Sequence, residues 1–174
     1  MVTDKSQVIA KSFRVNRKAL HALRDEARRQ NLSLNTLVSQ LLINYAEYGR
    51  FAETAHSMNL VSRIFSEILN TANEDAIMLA GQNAGKTVPK AMVSPKCCDL
   101  TMNSIIQHIQ DLASYAHLFS YNETNLNGQW TITLSHEHGS KWSLFLSGYF
   151  SEAFKTTGTE PKIDASDRAI TIRL

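Results

Sequence analysis

The sequence predicts an α+β fold in two parts: a strand and two helices, then, after a helical connector, a second α+β domain. Three observations lead there. Positive charge gathers in the first fifty residues. Apolar residues alternate up to Val15 and then recur at helical spacing to about residue 48. Beyond residue 74, long helical stripes give way to short alternating segments near the C-terminus. The expected organisation is a module at 1–50, a connecting helix at 51–73 and an α+β domain at 74–174.

The strand comes first. From Val8 the chain reads V-I-A-K-S-F-R-V, so that Ile9, Lys11, Phe13 and Val15 fall on one face and Ala10, Ser12 and Arg14 on the other. Asn16 can cap a helix over about 17–30, with Leu20, Leu23 and Ala27 on its apolar stripe. Asn31-Leu32 breaks that helix and Ser33 can cap the next, whose apolar residues Leu34, Leu37, Val38, Leu41, Leu42 and Tyr45 continue to about Tyr48-Gly49.

The connector, Glu53–Asn70, is again helical in period, through Met58, Val61, Ile64, Phe65, Ile68 and Leu69. Glu74–Met92 reads as a helix with closely spaced small residues, ending near Pro89, and Ser94–Lys96 as a loop. A helix over Met102–Phe119 follows. The turn Asn127-Gly128 introduces a strand over Trp130–His136. Lys141–Thr157 is a helix rich in aromatics, and Glu160–Asp164 with Ala169–Leu174 reads as a closing hairpin.

Charge divides unevenly. Residues 1–50 hold nine Lys/Arg against four Asp/Glu, a formal +5, while the other 124 residues hold nine against twelve, a formal −3. An attraction for polyanions therefore belongs to the N-terminal part. No apolar run is long enough to span a membrane, no signal peptide is evident, and the only cysteines are the adjacent Cys97 and Cys98. A cytoplasmic protein is expected, with no membrane partner.

A lone strand with one apolar face has to pair. If two chains pair theirs antiparallel, Phe13 and Val15 turn towards the helices and Ala10, Ser12 and Arg14 stand outward on a ribbon that fits the major groove. Arg14 can then bond guanine, and Ser12 most base edges. Ser33 and Asn35 at the start of the second helix, with Lys5, Lys11 and Arg17, supply expected phosphate contacts.

The pattern S-F-R-V-N-R-K-A-L-H-A-L-R-D-E-A-R-R-Q-N-L-S-L-N-T-L-V, within residues 8–48, resembles the ribbon-helix-helix family of the Arc, methionine and nickel-responsive repressors. The resemblance implies an intertwined homodimer on double-stranded DNA, read by outward strand residues that here fall at Ala10, Ser12 and Arg14. Ala10 departs from the usual polar reader and can at most touch a thymine methyl.

Three features of the remaining chain carry sharper readings. A-G-Q-N-A-G-K-T at 80–87 satisfies the loose phosphate-loop pattern, with Lys86 and Thr87 in the phosphate and magnesium roles; small residues that let two helices pack closely are the stronger reading. His136 and His138 alternate at a strand end and can share a metal, with Cys97, Cys98 and His108 elsewhere; exposed hairpin histidines are the simpler alternative. Finally, the helix A-I-M-L-A-G-Q-N-A-G-K, a long helix, a strand, the segment S-L-F-L-S-G-Y-F-S-E-A-F-K and a terminal strand are similar to the 4-vinyl reductase domain, related to haem-NO-binding folds. That resemblance implies an apolar ligand pocket near Gly148 to Ala153, with Trp142, Phe145, Tyr149, Phe150 and Phe154 as candidates. The chain has Asp164–Arg168 where that family often carries a cysteine-bearing loop.

No nucleophile elbow and no acid-base carboxylate pair are evident, so an enzyme is not expected; a nucleotide hydrolase using Lys86 is the enzymatic alternative. The reading is a dimeric transcriptional regulator with a ligand-sensing or oligomerisation domain and a small-molecule or metal effector, its cofactors undefined. The alternatives are an antitoxin or plasmid-maintenance protein with a protein partner, and a metal-responsive repressor.

Overall fold

A computed structural model describes residues 9–58, 60–96, 99–126 and 128–174. The chain divides after Ala46 into two compact units.

In the first unit, residues 9–16 carry neither helix nor strand within the single chain, and the expected strand over 8–15 is not formed there. The physical reason is that a strand is defined by its ladder, and one chain supplies no second strand. Helix α1 (Arg17–Arg29) starts where Asn16 accepts the Lys18 N–H on its side chain at 2.8 Å. It ends in a Schellman turn: Asn31 takes φ +54°, the Leu32 N–H reaches the Ala27 carbonyl and the Asn31 N–H that of Arg28. Helix α2 (Leu34–Asn44) follows, Ser33 Oγ accepting the Thr36 N–H at 3.0 Å. A π-helical turn over Tyr45–Gly49 and a short α3 (Arg50–Thr54) carry the chain into the second unit.

The second unit, Glu47–Leu174, takes in the segment expected as a connector. The helix expected over Glu53–Asn70 is two helices. His56, at φ +55°, closes α3 with the Ser57 N–H on the Ala52 carbonyl, and α4 (Ser62–Thr71) begins afresh. Helix α4 buries Leu69 and half-buries Phe65 but leaves Val61, Ile64 and Ile68 exposed. Lys141 Nζ ties its end down, donating to the carbonyls of Asn70 and Ala72 at 2.9 and 2.6 Å.

Helix α5 (Glu74–Val93) runs through Pro89, which is buried inside it, instead of ending there. Helix α6 (Met102–Ser114) opens with a capping box between Thr101 and Ser104. It stops five residues before the expected Phe119 because the chain turns at His117, φ +54°. Strand β1 (Ser120–Leu126) has no counterpart in the sequence reading. It pairs with β2 (Gln129–Ser135) across a turn containing Gly128 at φ +86°.

Helix α7 (Ser140–Lys155) separates this pair from β3 (Lys162–Ala165) and β4 (Ala169–Arg173), which form the expected closing hairpin. The sheet is antiparallel, in the order β1-β2-β4-β3. On its central strands Ile132 faces Ile172 and Leu134 faces Ile170, all fully buried. They join Ile105, Ile109, Leu146, Phe150 and Phe154 in one core.

Helices α5 and α7 touch backbone to backbone. A methyl group placed on Gly81 or Gly85 would sit 2.2 Å from the carbonyl oxygen of Phe145 or Tyr149, and one on Gly148 would sit 2.8 Å from that of Met78. Approach this close is what the small residues of 80–87 provide, and it permits Cα–H to carbonyl contacts between the helices. The phosphate-loop reading fails for the same reason. Residues 80–87 lie wholly within α5, and the Thr87 hydroxyl bonds the Asn83 carbonyl at 3.3 Å. Among the described residues no helix is long and apolar enough to cross a membrane.

Candidate nucleic-acid interface and ligand cavity

In the N-terminal unit, Ala10, Lys11, Ser12, Arg14 and Arg17 are all exposed; Lys5 lies outside the described residues. The apolar residues of the same segment are exposed too: Ile9 and Phe13 are each 70% accessible and Val15 is 53%. Among the described residues of this unit only Ala27 and Leu37 are buried in the single chain. Leu41, Leu42, Ile43 and Tyr45 on and beyond α2 also remain open.

At the start of α2 the Ser33 side chain is engaged with Thr36, through both its N–H and, at 2.8 Å, its hydroxyl. Ser33 therefore caps the helix, and Asn35 stands exposed in the first turn. The exposed basic groups of α1 are partly neutralised in place, Arg28 by Asp25 at 3.4 Å and Arg29 by Glu26. Arg14 and Arg17 have no such partner among the described residues, which leaves their guanidinium groups available at the N-terminal end.

In the second unit the expected aromatic pocket is filled by its own walls. Trp142, Tyr149 and Phe150 are buried, as is Phe154, and Phe145 is half-buried. Trp142 stacks on Phe145 with centroids 4.9 Å apart, and Tyr149 meets Phe150 edge-on at 5.0 Å. None of the five lines a cavity of the second unit that the structure shows. A cavity of about 310 Å³ does lie beside Gly148, lined by Met78 and Gln82 of α5, Ser147, Gly148 and Ser151 of α7, and Pro161 and Ile163, so its walls are other residues than the expected aromatics.

His136 and His138 do come together, their rings near-parallel with centroids 6.3 Å apart. Their surroundings differ. His136 is buried; its Nδ1 accepts the His138 backbone N–H at 3.3 Å, which places the proton of the neutral ring on Nε2, bonded to Ser143 Oγ at 2.9 Å. Burial pulls its pKa down, with His138 adding in the same direction. With both nitrogens occupied, His136 is locked as a strut between β2 and α7, and a metal would have to displace one of these bonds. Among the described residues no three His, Cys, Asp or Glu converge as a metal site; Cys97 and Cys98 lie outside them. His138, half-buried, has only long contacts from Nδ1, to Ser62 Oγ at 3.4 Å and Ser66 Oγ at 3.5 Å.

These histidines edge a cavity of about 540 Å³. Its walls come from the start of α4 (Ser62), the end of α6 and the turn after it (Ala113, His117, Leu118, Phe119), the first residue of β1 (Ser120) and the end of β2 (Ser135 to His138). His117 and Ser120 escaped the sequence reading because both fall where a helix and then no element was expected. The H-x-H spacing was the one visible signal.

Two further polar pairs were not foreseen. His108 Nε2 and the Tyr149 hydroxyl meet at 2.7 Å in the core, and burial holds the His108 pKa down at about 4. Lys96 Nζ bonds Asp111 Oδ2 at 2.6 Å, while lying 5.0 Å from the centroid of Phe51 and 5.8 Å from that of Tyr48. No family model, curated protein or solved structure matches the chain.

Proposed function

We propose that the protein is a homodimeric, sequence-specific DNA-binding regulator of transcription, in which residues 8–15 of two chains pair into a ribbon and the second unit senses a ligand or sets assembly. The carrying observation is an incomplete core. Residues 9–46 bury only Ala27 and Leu37 on their own, whereas Ile9, Phe13, Val15, Leu41 and Leu42 stay open to solvent. A segment this short rarely stabilises itself without a second copy, a metal or a disulfide. The formal +5 of residues 1–50 and the resemblance of 8–48 to ribbon-helix-helix proteins supply the polyanion and the mode of reading.

In that arrangement Ser12 and Arg14 would face base edges, with Ala10 beside a thymine methyl. Lys5, Lys11, Arg17 and the α2 start at Ser33 and Asn35 would lie on phosphates.

The test has two parts. Sedimentation equilibrium of the full chain should give a dimer at micromolar concentration. Selection from a random duplex library should then yield a two-half-site sequence, bound more tightly than random DNA and with affinity falling steeply with salt. A monomer, or equal affinity for selected and random duplexes, would overturn the reading.

A further inference from the structure

We propose that helix α4 is a self-association surface, on which the α4 of a second copy of this chain lies antiparallel across a twofold axis. The apolar stripe of α4 runs through Val61, Ile64, Phe65, Ile68 and Leu69. The body of the second unit covers only one side of it: Leu69 is buried, and Phe65 meets Trp142 edge-on with ring centroids 4.8 Å apart. The other side stays in water. Val61 is 66% exposed, Ile64 50% and Ile68 56%, and Leu60, just before the helix, is 44% exposed. Val61, Ile64 and Ile68 recur at intervals of three and four, the spacing with which one helix seats against another. Adjacent aliphatic side chains of this kind form a patch, which scattered single residues do not, and a patch marks a contact.

The charges beside the patch name its occupant. Arg63 and Glu67 stand one turn apart on the flank of α4 beyond Ile64, both exposed, and form no ion pair with each other or with another described residue. A flank with one charge of each sign in this order is complementary to itself run backwards. When two helices lie antiparallel, like flanks meet, so that Arg63 of each copy faces Glu67 of the other, with Ile64 near the axis between the two pairs. A parallel pair would set this flank against the opposite one, which the body occupies with Phe65 and Leu69, and neither charge would meet its complement. A nucleic acid or an anionic membrane surface is disfavoured, because Arg63 and Glu67 cancel and leave no net charge to hold it. The contact uses the same patch on both copies, so it closes as a dimer.

This surface lies wholly within the second unit and goes beyond the ribbon proposed for residues 8–15, on which it does not depend. The test is made on the full chain carrying Phe13→Glu, which puts a charge into the proposed ribbon core and isolates the α4 contact. Association is followed by sedimentation equilibrium and helix content by circular dichroism.

The Phe13→Glu chain should still associate at micromolar concentration. Adding Ile64→Asp should make it a monomer with unchanged helix content, since that side chain is already half open. Arg63→Glu or Glu67→Arg, added singly, should each weaken association about tenfold by setting like charges face to face. Mixed one to one, these two single variants should regain the affinity of the Phe13→Glu chain, because each supplies the charge that the other lacks. Charges that acted only within one helix would gain nothing from mixing. The proposal is overturned if the Phe13→Glu chain is a monomer, if Ile64→Asp leaves association unchanged, or if the mixture associates no better than its components. A chain that selects no DNA sequence yet shows this pairing would remove the regulator and leave the α4 contact standing.

Discussion

Gly85 of α5 lies against the carbonyl of Tyr149 on α7 so closely that a methyl group in place of its hydrogen would stand 2.2 Å from that oxygen. Neither partner can yield, because both are backbone within helices. Gly81 repeats the relationship one turn earlier against Phe145, and together they fix the distance between the two helices. Gly85→Ala should therefore destabilise the protein by the upper part of the about 1–3 kcal/mol typical of overpacking, despite alanine's better helix propensity. Asn83→Ala, on the exposed side of the same helix, should be neutral or slightly stabilising. Urea midpoints of the two variants decide the matter; equal midpoints would show that the helices can separate at little cost.

Lys96 and Asp111 form a nearly buried pair, their side chains 16% and 9% exposed. Asp111 also accepts from Gln107 at 3.1 Å. Removing one charge strands the other. Lys96→Met should cost about 3–5 kcal/mol, part of it from the lost contacts with Phe51 and Tyr48, whereas Lys96→Met with Asp111→Leu should recover most of the loss. A double-mutant cycle on unfolding free energies reads this directly. A double variant as unstable as the sum of the singles would mean the pair has no coupling.

The core histidine makes stability depend on pH. Burial holds His108 at about 4 in the folded protein, against an ordinary value near 6.5, so between those values the unfolded chain takes up a proton that the folded one refuses. Its contribution is fully present above pH 6.5 and is lost as pH falls towards 4, by about 3 kcal/mol in all. His136, also lowered by burial, acts in the same direction. Urea unfolding at pH 7 and at pH 4.5 should show His108→Gln losing less stability than the parent, by about 2–3 kcal/mol. Parallel losses would place the acid sensitivity elsewhere.

Much of the fold is legible where side-chain period and burial agree. Ile105, Ile109 and Leu112 recur on one side of α6, and Ile170 and Ile172 alternate on β4, because each faces one core. Strand β1 was not legible for the converse reason. It is an edge strand, and of S-Y-N-E-T-N-L only Tyr121 is even half-buried, so no apolar alternation marks it. The break at His56 was equally silent, since the left-handed residue there is neither glycine nor asparagine and the apolar period resumes after it. The H-x-H pair was visible, but the assignment of His136 to a strut depends on Ser143, seven residues away, and on the His138 backbone N–H. His117 joins the cavity through a turn that helical periodicity conceals.

The outward face of the N-terminal segment yields the last expectation. Arg14 and Ser12 are exposed, and in a paired strand they would alternate with Phe13 and Val15, so that the ribbon would present both to base edges. Arg14→Ala should weaken binding to the selected site by about 1–3 kcal/mol, as expected for a lost bidentate contact to guanine, while leaving binding to random duplex nearly unchanged. Lys11→Ala, if that residue sits on phosphate, should weaken both alike and reduce the dependence of log K on log salt by about one. Fluorescence anisotropy at several salt concentrations separates the two behaviours. If Arg14→Ala instead lowered affinity equally on selected and random DNA, the residue would be holding phosphate, and sequence would have to be read by other groups.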